Sequence, residues 1–362
     1  MRIFAFGRCA LIIGAGAVLA ACGALPLSSS KGQGDMQPPI GAPGAVPQTS
    51  EFAGHGFARP LATWFPAAPT RLHRAGWFLP PLRYRGADRP LMYVSEEDDN
   101  EVVVYPEPAP SPGPLVGTIT DGVNDPWGLC IDKKKNLYSA NQSGTVTEYP
   151  YDSTSPSATY SQDLGRPLYC IVDKHGDLFV GNANGGANGG TIVEYQAGST
   201  SAYQVLQTPG TEVDGMGFDA QGNLYAAYRG GSGKLGTSIE KFTPGSGNGS
   251  ILGMKLNQPQ GLIVDDKGSI VVVSEKSPGN NHLDVFPPGA KRPSLRFGQP
   301  EGSYPIEIAI TKDERTLFAT TFNNGGIYEI RYPLRKGSTW IREQQDPYGL
   351  QQGIALSNGQ VF

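Results

Sequence analysis

The fold of this 362-residue chain is decided by a heptapeptide at residues 126–132, which reads Pro-Trp-Gly-Leu-Cys-Ile-Asp. The first position of this phrase recurs, as proline or a substitute for it, 41 residues later and then at four further steps of 46 residues. The residue six places after each marker is aspartate in four repeats, then threonine and serine. The markers are Pro126, Pro167, Val213, Pro259, Pro305 and Gln351, and the residues six places on are Asp132, Asp173, Asp219, Asp265, Thr311 and Ser357.

Each repeat contains short β-like runs separated by turn residues. In the clearest repeat, an apolar run at 259–265 leads through Asp265-Asp266-Lys267-Gly268 into a second run at 269–274. Further runs near 283–286 and 294–297 bring the unit to four strands. Six such units predict an all-β fold, a six-bladed β-propeller with four-stranded blades.

The two ends of the repeat region complete each other. The last repeat stops where its second strand should begin, whereas residues 91–95 look like a second strand without a first. Leu91 also lies 46 residues before Leu137, in phase with the repeat. We therefore predict that residues 353–357 supply the inner strand of a blade whose other strands come from residues 91–119. This pairing of N- and C-terminal segments would close the ring and remove an exposed sheet edge.

The repeated phrase resembles the NHL repeat, which runs from proline-x-glycine through apolar residues and aspartate to a glycine turn and an alternating strand. Residues 126–141 and 218–225 match this pattern, and the resemblance covers residues 91–362. It implies the propeller fold and indicates little about activity. Lys135 and Glu314 stand in place of the turn glycine, and Ile306-Glu307 departs from the proline-x-glycine form.

The first 22 residues resemble a bacterial lipoprotein signal peptide. Arg2 and Arg8 accompany an apolar stretch at 9–18, and residues 19–22 read Leu-Ala-Ala-Cys, the lipobox pattern. The resemblance implies acylation of Cys22 and a lipid anchor in the bacterial cell envelope. Gly23, where an aspartate would imply inner-membrane retention, implies the outer membrane, facing the periplasm or the cell surface. The alternative is an ordinary secretory signal with a chance cysteine.

Two segments separate the signal from the propeller. Residues 23–60 are rich in Gly, Pro, Ser, Ala and Gln, and we expect a flexible tether. Residues 61–90 interleave aromatic and arginine side chains, and we interpret them as a strap or linker on the outside of the propeller. Contact with a membrane or an envelope polymer is the alternative, although the prolines in this segment exclude a long amphipathic helix. The propeller domain then covers residues 91–362.

Charge and cysteine content narrow the partners and the covalent structure. A net charge of −4 gives no electrostatic footprint for nucleic acid, so we expect none, and we expect a monomer. Cys130 and Cys170 fall on inner strands of adjacent blades with opposite side-chain parity. Two interpretations remain open, a disulfide between blades or two buried small side chains, because packed sheets lie about 10 Å apart.

One mouth of the central channel is where a ligand would meet several blades at once. The residues that enter the inner strands and those that leave the second strands surround this mouth. The binding candidates at this mouth are Trp127, Asn141, Asn182, Asp214, Tyr228, Gln260 and Gln352.

Enzymes with a similar fold suggest a second possibility. Lactonases of the SMP-30/gluconolactonase family hold a divalent cation at this mouth with carboxylates and asparagines. Asp214-Gly215 matches their aspartate phrase, but Trp127, Leu168 and Ile306 replace would-be ligands with apolar groups. Calcium or zinc would be the cation in that case. The metal-ligand candidates that the resemblance implies are Asp214, Glu96, Asn141, Asn182 and Glu275.

Two further features bear on chemistry. His282 is the only histidine placed near the mouth that could serve as the base of a lyase-like propeller, and we expect a solvated residue in a polar loop. Residues 95–100 are the densest acidic run. We interpret them as a solvated hairpin tip, with calcium binding as the alternative. No Ser-His-acid spacing and no phosphate-binding glycine motif stands out.

The sequence therefore favours a binding module that recognises a protein or a glycan without catalysis, cofactor or metal. A metal-dependent hydrolase of a small ester or lactone is the alternative.

Overall fold

The structure, a computed structural model, describes residues 77–78, 90–107, 115–183, 189–230, 237–277, 280–300, 303–322, 325–345 and 351–360. All of them lie in one compact unit, Ala53–Phe362. The described residues form strands and turns. Within these ranges, no helix has the length and apolar character needed to cross a membrane. The segments predicted as signal and tether lie outside the described residues.

Six antiparallel sheets form the predicted six blades. Blade 1 consists of β5 (Pro126–Ile131), β6 (Leu137–Asn141), β7 (Thr145–Tyr149) and β8 (Ala158–Tyr160). Blade 2 consists of β9 (Arg166–Val172), β10 (Leu178–Ala183), β11 (Thr191–Tyr195) and β12 (Ala202–Gln207). Blade 3 consists of β13 (Glu212–Phe218), β14 (Leu224–Arg229), β15 (Ser238–Phe242) and β16 (Ser250–Ile251).

The next two blades repeat this order from the inner strand outward. Blade 4 consists of β17 (Leu262–Val264), β18 (Ile270–Ser277), β19 (Asn280–Phe286) and β20 (Leu295–Gly298). Blade 5 consists of β21 (Pro305–Ile310), β22 (Thr316–Thr321), β23 (Gly326–Arg331) and β24 (Ile341–Gln345).

Blade 6 combines both ends of the propeller, as the repeat phase predicts. Its strands, from the inside outward, are β25 (Gln351–Leu356), β2 (Leu91–Glu96), β3 (Glu101–Pro106), β4 (Gly117–Ile119) and β1 (Trp77–Phe78). The two residues of β1 pair with β4 and extend this blade outward, at the outer edge where the strap interpretation places the segment. The rest of that segment lies outside the described residues, apart from Pro90.

The inner strands close into a ring. Each of them contacts the inner strands of the two neighbouring blades, and β21 of blade 5 contacts β25 of blade 6. Blade 6 carries a second tie between the chain ends, because the Leu91 backbone N–H donates to Ser357 Oγ at 2.7 Å. The predicted closure of the propeller by the two chain segments is confirmed.

The recurring aspartate after each inner strand organises the turn that follows it. In blade 1, Asp132 Oδ1 accepts hydrogen bonds from the backbone N–H groups of Lys134 and Asn136, both at 2.8 Å. The other three aspartates bond in the same way. Lys135 and Glu314 replace the turn glycine yet adopt its left-handed backbone, with φ of 68° and 51°. The side-chain bonds of the turn therefore support a conformation that glycine would adopt at lower cost.

Glycine inside the repeated phrase allows neighbouring inner strands to touch. A Cβ atom on Gly128 would lie 2.6 Å from the Leu168 carbonyl oxygen of blade 2. A Cβ atom on Gly261 would lie 2.7 Å from Glu307 Cα of blade 5, and real Cβ atoms essentially never come closer than 3.0 Å. The glycines that face the backbone of the next blade in this way are Gly128, Gly215, Gly261 and Gly353.

The same close approach decides between the two interpretations of the cysteines. Cys130 on β5 and Cys170 on β9 form a disulfide, with their Cα atoms 5.6 Å apart. The ordinary spacing of packed sheets does not apply here, because the blades converge towards the channel axis. The bridge therefore joins the inner strands of blades 1 and 2.

The closing strand offers a direct test of the fold. Ile354 on β25 is 2% exposed and packs in an apolar cluster between blades 5 and 6, whereas Ile341 on β24 is 53% exposed. We expect Ile354→Ala to lower the free energy of unfolding by about 2–5 kcal/mol through cavity formation. The same substitution at Ile341 should cost about 1 kcal/mol or less. Urea denaturation measures both, and equal losses would contradict an integral role for β25.

Candidate functional site

The mouth of the channel lies where the register predicts it. Pro126 pairs with Asn141, Pro167 with Asn182, and Gln351 with Glu96, so each second strand ends beside the start of its inner strand. The six side chains that follow the markers are all buried at this end of the channel. They are Trp127, Leu168, Asp214, Gln260, Ile306 and Gln352.

One side of the mouth is apolar. Trp127 of blade 1 packs with Leu168 and Ala183 of blade 2 in a small buried cluster. Trp127, one of the predicted binding candidates, contributes its indole ring to this cluster.

The next blade contributes a buried ion-pair network. Arg229 Nε lies 2.8 Å from Asp214 Oδ2 and 2.9 Å from Glu212 Oε2, and Arg166 reaches Glu212 at 3.9 Å. Burial raises the pKa of the Asp214 carboxyl above its ordinary range, and the Arg229 guanidinium opposes this rise. The positive charge beside the Asp214 carboxylate is therefore the Arg229 guanidinium.

The remaining blades contribute polar atoms that have no hydrogen-bond partner within the described structure. These atoms are Gln260 Oε1 of blade 4, Glu307 Oε1 of blade 5 and Gln352 Oε1 of blade 6. The three side chains are at most 5% exposed. Buried polar atoms in native proteins nearly always have a partner, from protein, water or ligand. Three such atoms thus lie on consecutive blades and form an arc of unpartnered oxygen atoms on one side of the channel.

Tyr169 lines the cavity between the inner strands, and Glu307 on the opposite blade lies close enough to act on it electrostatically. They stand at the position of the repeated phrase that is glycine in the other four blades. Blades 2 and 5 are opposite each other in the ring, and the Glu307 carboxyl raises the pKa of the Tyr169 hydroxyl in addition to burial. Burial also raises the pKa of Glu307 well above its ordinary value. Desolvation in the channel thus disfavours the charged form of this carboxyl group.

The two candidate asparagines bind the backbone of their own blades. Asn141 Oδ1 accepts from the Asn124 backbone N–H at 3.2 Å. Asn182 Oδ1 accepts from the N–H groups of Gly165 and Arg166 at 3.0 and 2.9 Å. Their amide oxygens, the atoms that would bind a cation, therefore hold the loops that lead into the inner strands.

The acidic candidates are not gathered around Asp214. Among the described residues, two groups of three carboxylates come within 4.8 Å of one another, and neither includes Asp214 or Glu275. Glu96 belongs to one of them, with Asp99 and Glu101. Glu275 lies buried near the end of β18.

The acidic run at 95–100 forms the turn of the β2–β3 hairpin, as the hairpin-tip interpretation predicts, and Asp98 and Asn100 are exposed there. Its first half is not solvated. Glu96 and Glu97 are 0% and 6% exposed. Glu97 accepts from Gln352 Nε2 at 2.8 Å and from Gln142 Nε2 at 3.4 Å. The run turns towards the mouth because β2 and β3 lie against β25, and a single sequence shows no sign of that packing.

His282 also differs from expectation, since it is 4% exposed within β19. Its Nε2 atom lies 3.2 Å from Asp284 Oδ2, and Arg296 Nε donates to Asp284 Oδ1 at 2.8 Å. The histidine is part of a buried polar row on blade 4.

The channel beneath the mouth is narrow. A cavity of about 90 Å³ lies between the inner strands, and its walls include Tyr169, Met216, Leu262, Ile308 and Ile354. Sites for small organic ligands usually measure about 300 Å³ or more. A larger ligand would therefore bind at the mouth and the loops around it.

Sequence reasoning assigned no site role to Glu307, Tyr169 or Arg229, and it considered Glu97 only as part of the acidic run at 95–100. The signal for the first two was present, because both break the glycine position of the phrase. Arg229 carried no such signal, since its role depends on partners in other strands. The contacts of Glu97 with Gln142 and Gln352 likewise depend on which strands come together.

Comparisons with known proteins concern the fold. No family model matches this sequence, and no curated protein matches it significantly. Hydrazine synthase of Kuenenia stuttgartiensis is 13% identical with a TM-score of 0.50, over 66% of this chain and 72% of that one. The PQQ-bound aldose sugar dehydrogenase of Streptomyces coelicolor is 17% identical with a TM-score of 0.49, over 66% and 87%. A candidate gluconolactonase is 14% identical with a TM-score of 0.49, over 73% and 87%. At such identities the likeness concerns the propeller fold alone.

Glu97 predicts a pH dependence of stability. Burial, with Asp125 and Asp98 nearby, raises the pKa of Glu97 to about 7, from a reference value of 4.5. The folded state then binds more protons than the unfolded state between these values, so its stability falls as pH rises through 7. We expect Glu97→Gln to reduce the loss of stability between pH 5 and 8, as measured by urea denaturation. Asp121→Asn, at an exposed acid on the surface, should retain the wild-type loss, and an undiminished loss in Glu97→Gln would contradict this assignment.

Proposed function

We propose that this protein is a lipid-anchored binding module of the bacterial cell envelope whose propeller mouth recognises a glycan. The observation that carries the proposal is the arc of buried, unpartnered acceptor atoms on Gln260, Glu307 and Gln352. A ligand with many hydroxyl donors would supply the missing hydrogen bonds. Glycans are such ligands, and amide and carboxyl oxygens are their natural acceptors.

The composition of the mouth supports a ligand with two kinds of surface. The arc of Gln260, Glu307 and Gln352 lies on blades 4 to 6, and the other side of the mouth has an apolar cluster of Trp127, Leu168 and Ala183. A sugar ring has hydroxyl groups at its edge and C–H groups on its faces, which suit an indole surface. The ion-paired Arg229 adds donors at the boundary between the two sides.

The contacts at the mouth favour binding over metal-dependent hydrolysis. A catalytic cation needs several oxygen ligands and an open position for water or substrate. Asp214 is instead paired with Arg229, and the amide oxygens of Asn141 and Asn182 accept backbone hydrogen bonds. The hydrolase alternative would require these groups to exchange their present partners for a metal ion.

The anchor rests on the sequence of residues 1–60. A lipobox ending at Cys22 and a tether of nearly 40 residues would hold the propeller at the membrane while leaving its mouth accessible. Attachment of several acyl chains provides stable anchoring where one chain would not.

Gln260→Leu tests recognition at the mouth. We expect at least tenfold weaker binding to an array of bacterial envelope glycans, which corresponds to about 1.4 kcal/mol. Replacing an unpartnered buried amide by an apolar side chain of similar size should leave the melting temperature unchanged or raise it. A merely structural glutamine would lose stability instead. Gln207→Leu, on the exposed outer strand of blade 2, is the matched control and should bind as wild type.

Three outcomes would overturn the glycan proposal. One is the absence of glycan binding by the wild type together with capture of a defined envelope protein. A second is unchanged binding in Gln260→Leu. The third is a stoichiometric divalent ion that is lost on Asp214→Ala and accompanies esterase or lactonase activity, which would favour the hydrolase.

Cys22→Ser tests the anchor independently. We expect the wild-type protein, expressed in a bacterial host, to incorporate radiolabelled palmitate and to partition into Triton X-114. Cys22→Ser should lose both properties because the acylated thiol is removed. Cys9→Ser, inside the apolar stretch of the signal, should keep them. Labelling that persists in Cys22→Ser would rule out this residue as the attachment point.

A further inference from the structure

Three buried acceptor atoms of the mouth belong to consecutive blades. Gln260 on blade 4 and Gln352 on blade 6 occupy the position directly after the marker of the repeated phrase. Glu307 occupies the next position on blade 5, the blade between them, and the inner strand of blade 5 contacts those of both neighbours. Each of the three side chains has an oxygen without a hydrogen-bond partner in the described part of the chain. A ligand at this arc would meet two amide oxygens and one carboxyl oxygen.

The hydrogen bonds of Gln352 determine which end of its amide is left for a ligand. Its Nε2 atom donates to Glu97 Oε2 at 2.8 Å, so the amide nitrogen already has a partner within the protein. Glu97 is 6% exposed and also accepts from Gln142. The Oε1 atom of Gln352 is the one without a partner. The ligand must therefore supply a donor at this point.

Glu307 differs from Asp214 in having no cation beside it. Asp214 on blade 3 lies 2.8 Å from Arg229 Nε, which supplies a positive charge. No described side chain forms an ion pair with Glu307, and burial raises the pKa of its carboxyl. A buried carboxylate without a cation is costly, and a bound cation would offset that cost. The arc thus favours a ligand that carries positive charge.

The charges around the mouth are unevenly distributed. The two arginines of the ion-pair network, Arg166 and Arg229, lie on blades 2 and 3. On blade 6, burial, with Asp125 and Asp98 nearby, raises the pKa of the Glu97 carboxyl. Carboxyl groups on the side of the arc therefore lack the arginine partners that blade 3 provides. Such a distribution attracts a cationic group and disfavours an anionic one.

We propose that the arc binds the free primary amino group of an amino sugar, an inference that specifies the class of glycan and rests on the proposed function. A protonated amino group has three N–H donors and no acceptor, which complements three acceptor oxygens. Its hydrogen bond to a carboxylate is stronger than that of a neutral hydroxyl. An N-acetylated sugar lacks the charge and brings a carbonyl oxygen to atoms that are themselves acceptors.

The size of the channel suits an amino group and not a whole sugar ring. The cavity between the inner strands measures about 90 Å³, and its walls include Tyr169, on which Glu307 acts from the opposite blade. A water molecule, which is similar in size to an ammonium group, takes about 30 Å³. The amino group would therefore enter at the arc while the sugar ring remains at the mouth.

Isothermal titration with two matched oligosaccharides tests this contact. The probes are the tetramer of glucosamine, which has free amines, and the tetramer of N-acetylglucosamine. We expect the purified wild-type protein to bind the free-amine form about tenfold more tightly or better. Glu307→Gln keeps the size and an acceptor oxygen but removes the negative charge, so the two affinities should agree within about twofold. Glu329→Gln, the same substitution on the third strand of blade 5, should keep the wild-type preference.

The wild-type comparison needs no variant, so poor folding of Glu307→Gln would not obscure it. Equal affinities in the wild type, or tighter binding of the N-acetylated form, would overturn the inference and leave the glycan proposal intact. A preference retained in folded Glu307→Gln would also overturn it.

Spermidine, an amine without a sugar, distinguishes the remaining cases. Binding of spermidine without either oligosaccharide would overturn the amino sugar as the ligand and contradict the glycan proposal. Binding of none of the three probes would overturn the inference, while the wider glycan array still decides the proposed function.

Discussion

Contact between the backbones of neighbouring inner strands is the constraint on which this structure depends. Six strands must converge on one axis, and at Gly128 and Gly261 the next blade leaves no room for a Cβ atom. The proline before each glycine presets the backbone at the entrance of the strand. This approach also brings the Cα atoms of Cys130 and Cys170 to 5.6 Å, although sheets pack about 10 Å apart elsewhere.

The two positions that break the glycine rule show how the same constraint creates a site. Tyr169 and Glu307 stand at these positions on opposite blades, and desolvation raises the pKa of the Glu307 carboxyl well above its ordinary value. Around them the mouth gathers unpartnered acceptors on three consecutive blades. The repeated residues form the propeller scaffold, and the residues that differ between blades provide the polar groups on which the glycan proposal depends.

The second constraint on this structure is closure of the ring through blade 6. Blade 6 is held by strand pairing, by apolar packing around Ile354 and by the bond from Leu91 to Ser357. Strand pairing, apolar packing and this hydrogen bond therefore contribute to one event, the joining of distant parts of the chain.

The sequence by itself determined the blade number, the strand register and the pairing of the chain ends, because a period of 46 residues specifies which residues are equivalent. It also indicated the turn role of Asp132 and its equivalents through their fixed phase. Only the tertiary structure decided that Asp214 pairs with Arg229, that Asn141 binds its own loop and that Glu96 is buried. The physical reason is that periodicity encodes the backbone path, whereas the partner of a polar side chain depends on which atoms of other strands and loops come within hydrogen-bond distance.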